Sequence, residues 1–170
     1  MTPAPPPTDP KDTALARRTV LRAAAWSAPV VALGVATPLA AASTIDVGAY
    51  RVTDSCSVPG SGRPGFLLTA GPIASLPERT TITVSVTGVT TIGELTVTGV
   101  GAIVNDVSAT SRLIVLTSPL PAGATMTIST TLSTSISTRW TLRAVSTLPR
   151  DYVATGATTE SSFGSLSCRA

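Results

Sequence analysis

A chain of 170 residues, 43% apolar and 12% charged, lies in the size range of one domain and can bury a core without a metal or a dense disulfide framework. It contains no histidine, which excludes a Ser-His-Asp or Cys-His catalytic arrangement and a His-based zinc site. The formal net charge of +3 leaves no concentrated basic footprint after Ser43, where the balance is close to neutral, so nucleic acid is not expected as a partner.

From Met1 to Asp12 the sequence MTPAPPPTDPKD is Pro-rich and polar, with no period that could support a packed element. Two adjacent arginines follow, in Ala16-Arg17-Arg18-Thr19-Val20-Leu21-Arg22, and then an uncharged Ala/Val/Leu run from Ala23 to Ala42. Ala40 and Ala42 occupy the −3 and −1 positions of an A-x-A cleavage site, with Ser43 next. The stretch resembles the twin-arginine signals of exported proteins of actinobacterial type: Arg17, Arg18, Val20, Leu21 and Arg22 match the motif, with Ala16, Val20 and Arg22 standing where Ser or Thr, Phe and Lys are commonest.

The resemblance implies a signal peptide over residues 1–42, with an n-region at 1–15, the motif at 16–22 and the apolar region at 23–42. It implies a twin-arginine translocase and a signal peptidase as partners during export. An uncharged run of this length could instead span a bilayer as an anchor. Its alanine content, Pro29, Gly34, Pro38 and small final residues favour cleavage, leaving no stable membrane span. No cysteine directly follows the run to accept lipid, and no hydrophobic tail or sorting motif precedes Ala170, so a secreted or cell-wall-associated product is expected. From Ser43 on, eight arginines face seven acids, so most of the apparent basicity belongs to the leader.

After Ile45 the pattern changes to period two. Thr81-Ile82-Thr83-Val84-Ser85-Val86-Thr87 alternates apolar and hydroxyl residues without a fault, as a half-buried antiparallel strand requires. Leu95 to Thr98 and Met126 to Ser129 repeat it, and Trp140, Leu142 and Ala144 share one face of a strand whose other face carries Arg139, Thr141 and Arg143. Phe66 to Ala70 and Leu113 to Leu116 are continuous enough to predict central strands covered on both faces. In the first strand Ile45, Val47 and Ala49 share a parity that Tyr50 and Val52 break, which predicts a bulge near Gly48. Turn signals stand at Pro59 to Gly62, Gly71-Pro72, Leu76-Pro77, Gly99 to Gly101, Asn105-Asp106, Ser118-Pro119 and Pro121 to Gly123.

This punctuation, with no helical period after Ile45, predicts an all-β antiparallel sandwich of about seven to nine strands over residues 43–170. One echo is visible: Leu76-Pro77-Glu78-Arg79-Thr80-Thr81-Ile82 and Leu120-Pro121-Ala122-Gly123-Ala124-Thr125-Met126 are each a Pro turn feeding an alternating strand. The layout resembles bacterial surface immunoglobulin-like domains, in which an LPxG turn leads into a strand; convergence of two Pro turns is the plainer reading. An immunoglobulin-like architecture is the expectation.

Cys56 and Cys168 are the only cysteines. Outside the cytoplasm a bridge is their natural state, and without a Cys-x-x-Cys or histidines a redox or metal site is poorly supported. Cys56, Trp140 and Cys168 imitate the antibody Cys-Trp-Cys order only superficially, because the first interval is far too long.

The acids Asp46, Asp54, Glu78, Glu94, Asp106, Asp151 and Glu160 are isolated in sequence, with no calcium loop, and Gly60-Ser61-Gly62 lacks the rest of a phosphate loop. No catalytic residue, metal or cofactor is expected. Arg139 and Arg143 are candidate ligands for an anionic wall polymer, against the plainer reading of a solvated face. Trp140, Tyr50, Phe66, Tyr152 and Phe163 are candidates for a sugar-stacking platform, against the plainer reading of core. The expected role is a non-catalytic structural, adhesive or interaction module whose partner is a cell-wall polymer or surface protein; a glycan-binding module or secreted inhibitor is the alternative, and an enzyme ranks third.

Overall fold

The computed structural model describes residues 44–132 and 139–169. The chain divides into two units, Met1–Ala42 and Ser43–Ala170, and the described residues all belong to the second. The residues assigned to export, Arg17, Arg18, Val20, Leu21, Arg22, Ala40, Ala42 and Ser43, lie outside the described residues.

Strands form where sequence alternates and stop where Gly or Pro punctuates it. The described residues contain β1 (Ile45–Asp46), β2 (Arg51–Ser55), β3 (Gly65–Thr69), β4 (Thr81–Thr87), β5 (Leu95–Thr98) and β6 (Ala102–Ser108). They continue with β7 (Ser111–Leu116), β8 (Thr125–Thr130), β9 (Thr141–Thr147), β10 (Tyr152–Val153), β11 (Glu160–Gly164) and a 3-10 turn at Ser167–Arg169. The fold is all-β. One sheet has the order β11-β9-β4-β7-β6 and another β2-β3-β8-β5, each antiparallel throughout, while β1 and β10 form a short parallel pair.

Both sheets feed one hydrophobic core. β4 contributes Ile82, Val84 and Val86, and β9 contributes Leu142 and Ala144; β3 contributes Phe66 and Leu68, and β8 Met126 and Ile128, all buried. Each comes from the apolar parity of its strand, so the pleat converts alternation into burial. At about 25 cal/mol per Å² of apolar surface, burial of these side chains is the main stabilising term. Gly65 is required by packing: a Cβ there would lie 1.8 Å from the Ile128 carbonyl oxygen.

Three expectations are corrected. The break at Gly48 is not a bulge within one strand. Gly48 takes φ +70°, its amide donates to Asp46 Oδ1 at 2.8 Å, and the Tyr50 amide donates to the Gly48 carbonyl at 3.0 Å. The turn moves the chain from the β1–β10 pair into the four-stranded sheet, which is why the parity changes. Asn105 and Asp106 are not a turn but lie inside β6, and the hairpin turn to β7 is at Ala109–Thr110. On an edge strand polar residues cost little, so composition misplaced the turn. β3 and β7 are interior strands, but Leu67, Leu113 and Val115 are only half-buried. Their outer faces border exposed neighbours rather than a covering layer.

The sequence echo has a physical counterpart. Leu76 and Leu120 pair as an antiparallel bridge, with Leu76 N donating to Leu120 O at 2.9 Å and Leu120 N to Leu76 O at 3.0 Å. Both side chains are fully buried. Each Leu-Pro turn then enters an interior strand, β4 in one sheet and β8 in the other, so the bridge staples the two sheets at matching ends.

Candidate functional site

The outward face of β9 and its surroundings hold the candidate binding residues. Trp140, just ahead of β9, is buried, as are Leu142 and Ala144, while Arg139, Thr141 and Arg143 are exposed. That is the division the alternation predicts. Arg143 and Arg139 lie four residues apart on one extended stretch, roughly 13 Å.

Arg143 is engaged by its own domain. Its Nε lies 2.5 Å from Glu160 Oε1 and its NH2 2.8 Å from Oε2, a bidentate pair joining β9 to β11. Hydrogen bonding to Arg143 lowers the Glu160 carboxyl below its ordinary value, and the same bonds raise Arg143. The pair is exposed and worth little to stability. An anionic ligand would have to displace Glu160 from Arg143, whereas Arg139 presents its charge beside an open depression of about 340 Å³. That depression is also lined by Gly88, Thr141, Gly164 and the exposed Leu166.

The aromatic platform does not assemble. Tyr50, Phe66, Trp140 and Phe163 are all buried, and Tyr152, half-buried in β10, stands without an exposed aromatic beside it among the described residues. Phe163 stands edge to face with both neighbours, 5.4 Å from Phe66 and 5.7 Å from Trp140 by ring centroid, so the three rings link β3, β11 and the start of β9. Such pairs add about 0.5–1.5 kcal/mol beyond their area. Tyr50 has a polar task inside: its hydroxyl lies 2.9 Å from Ser146 Oγ, which in turn donates to the Thr159 carbonyl at 2.9 Å. With the Ser146 proton so placed, the Tyr50 hydroxyl is the donor to Ser146. Burial raises the Tyr50 phenol, partly offset by Ser146.

Several acids act as local clamps. Asp46 Oδ1 accepts from the amides of Gly48 at 2.8 Å and Thr155 at 3.1 Å. Bonds from Thr155 foremost, with Gly48, lower its carboxyl below the ordinary value. Asp54 Oδ1 accepts from Ser161 Oγ at 2.7 Å, and Asp106 Oδ1 meets Arg112 Nε at 2.8 Å. Among the described residues no group of three or more His, Cys, Asp or Glu could hold a metal ion. Nor is any helix among them long and apolar enough to cross a membrane.

Cys56 and Cys168 form a disulfide, with Cα atoms 5.2 Å apart and a sequence separation of 112. The bond joins the residue after β2 to the final 3-10 turn.

Sequence reasoning missed the Arg143–Glu160 and Arg112–Asp106 pairs. The second was legible in principle, since Asp106 and Arg112 flank a short hairpin turn; the first needed the β9–β11 register, which puts Arg143 opposite Ser162 and diagonal to Glu160. Comparison with protein-family models, curated proteins and solved structures finds no match to this chain.

Proposed function

We propose that this chain is an exported, non-catalytic module with an immunoglobulin-like β-sandwich, serving a structural, adhesive or interaction role at the cell surface or outside the cell. The observation that carries the reading is the Cys56–Cys168 disulfide. A bridge linking the two ends of a domain belongs to an oxidising compartment, and the twin-arginine-like leader supplies a route that carries folded cargo. The two antiparallel sheets with one shared core support the sandwich. Acids spent on backbone clamps and on arginine pairs favour a structural over a catalytic use.

Replacing Arg17 and Arg18 together by Lys is expected to abolish appearance of the protein in the culture supernatant, while Thr8→Ala in the leader leaves it intact. Undiminished secretion of the double variant would overturn the export route. For the role itself, the purified protein is expected to be retained by cell walls or by a surface protein without altering either. Cleavage of a wall glycan would overturn the non-catalytic reading.

A further inference from the structure

The two flanks of the domain are finished differently. On one flank β2 closes against β11 and the residues just before it: Val52 N donates to Thr158 O at 2.8 Å, Thr158 N to Tyr50 O at 2.9 Å, and Ser161 Oγ to Asp54 Oδ1 at 2.7 Å. On the other flank β6 ends the five-stranded sheet, and among the described residues no strand pairs with its outer side.

The direction of its backbone groups follows from its neighbours. Leu116 N donates to Thr80 O at 3.0 Å and Leu116 O accepts from Arg79 N at 2.8 Å, so Leu116 bonds on the β4 side. Alternation then turns Val115 and Leu113 toward β6. Ile103 and Asn105, their register partners, use their amides and carbonyls on β7, and Thr117 N to Gly101 O at 2.9 Å continues the same order. Ala102, Val104 and Asp106 therefore direct theirs outward.

Natural edges are blunted by charged side chains, lysine above all, by proline, by bulges or by short length. β6 has seven residues, AIVNDVS, with no Lys or Pro; its one charge, Asp106, is paired with Arg112, and its register shift falls after Asp106, which leaves Ala102 to Asp106 regular. Ile103 and Val107 are 55% and 62% exposed along it.

We propose that β6 is the seat of a symmetric dimer in which two copies of this chain join their five-stranded sheets edge to edge, antiparallel, about a two-fold axis at Val104. A second copy is the occupant this edge fits. The outward-bonding set is centred on Val104, so an inverted copy meets the same set: Val104 faces its own counterpart and Ala102 faces Asp106. Each such narrow pair exchanges both of its N–H···O bonds. No like charges are opposed, because the single charge of this strand, Asp106, lies across from alanine and is paired with Arg112 of its own chain. Ile103 falls opposite Asn105 of the second copy, and the two Ile103 side chains meet on the diagonal, within reach of long side chains. Because the opposite flank is closed and β5 has only four residues, the isologous contact ends at a dimer instead of propagating as a fibre. The assignment goes beyond the export and surface reading and does not need it, since edge pairing requires only the folded domain.

Sedimentation of the purified chain over a concentration series tests it. The wild type is expected to show a reversible monomer–dimer equilibrium. Ile103→Lys, which places charge on the paired edge, is expected to weaken it about tenfold or more. Val104→Pro removes an amide that β7 does not use and is expected to have the same effect, and thermal melting reports whether each variant keeps its fold. Amide exchange at Ala102 and Val104 should slow as wild-type concentration rises. A wild type that stays monomeric at every concentration, or a dimer insensitive to Ile103→Lys, would overturn the proposal. Neither result bears on secretion, so the outcome is separable from the export test.

Discussion

Tyr50 shows how one side chain serves the core and a hydrogen-bond chain together. Its ring is buried while its hydroxyl donates to Ser146, which donates to the Thr159 carbonyl. A buried hydroxyl without a partner would cost about 1–3 kcal/mol, so the serine is what makes a tyrosine tolerable there. Tyr50→Phe is expected to lower stability by about 1 kcal/mol, measured by urea unfolding at neutral pH. The raised phenol also sets a pH dependence. Above the ordinary tyrosine value of about 10 the unfolded chain loses this proton before the folded one does, so the folded state binds more protons and stability falls as pH rises. The fall should be smaller in Tyr50→Phe; identical alkaline profiles for the two proteins would refute this role.

At the scale of elements, the two Leu-Pro turns are equivalent in hydrogen bonding but not in residue choice. Thr80 N bonds Pro77 O at 3.3 Å and Ala124 N bonds Pro121 O at 3.0 Å, so each is a four-residue turn. The third residue is left-handed in both, Gly123 at φ +70° and Arg79 at φ +65°. Arg79 is the one non-glycine residue with positive φ among the described residues. A left-handed L-residue costs about 1–2 kcal/mol, against about 0.5–1 kcal/mol for the extra unfolded-state freedom of glycine. Arg79→Gly is accordingly expected to raise stability by up to about 1 kcal/mol. Gly123→Ala, where a Cβ would touch nothing within 4 Å, should lower it by about 1 kcal/mol through the backbone alone. Thermal melts of the two variants check the opposite signs; shifts in the same direction would contradict the shared turn geometry.

At the scale of the molecule the disulfide is the longest-range link among the described residues. Its 112-residue separation gives about 4–5 kcal/mol by loop entropy, with about 2–5 kcal/mol typical when a native bridge is removed. The paired variant Cys56→Ser with Cys168→Ser should lose that much in urea unfolding, and reduced wild type should match it. With about 5–15 kcal/mol of total stability in an ordinary domain, the variant is expected to stay folded at low temperature. The core draws on both sheets, and the Leu76–Leu120 bridge joins them at their ends independently of the disulfide. A reduced protein that unfolds completely at low temperature would show that the bridge, rather than the core, holds the domain together.

The sequence by itself determined the class and most of the strands. β4, β5, β8 and β9 were legible because alternation is a local property: parity decides which side chains face inward, as Ile82, Val84 and Val86 or Leu142 and Ala144 show. The disulfide was legible because the chain has one cysteine pair. Tertiary structure alone decided which strands are neighbours, since pairing depends on residues far apart in sequence. It decided that Gly48 separates two sheets instead of bulging one strand, and that Asp106 belongs to an edge strand rather than a turn. It also decided what Arg143 can do, because Glu160 reaches that arginine only through the β9–β11 register. Periodicity reports each strand's faces; only packing reports its neighbours.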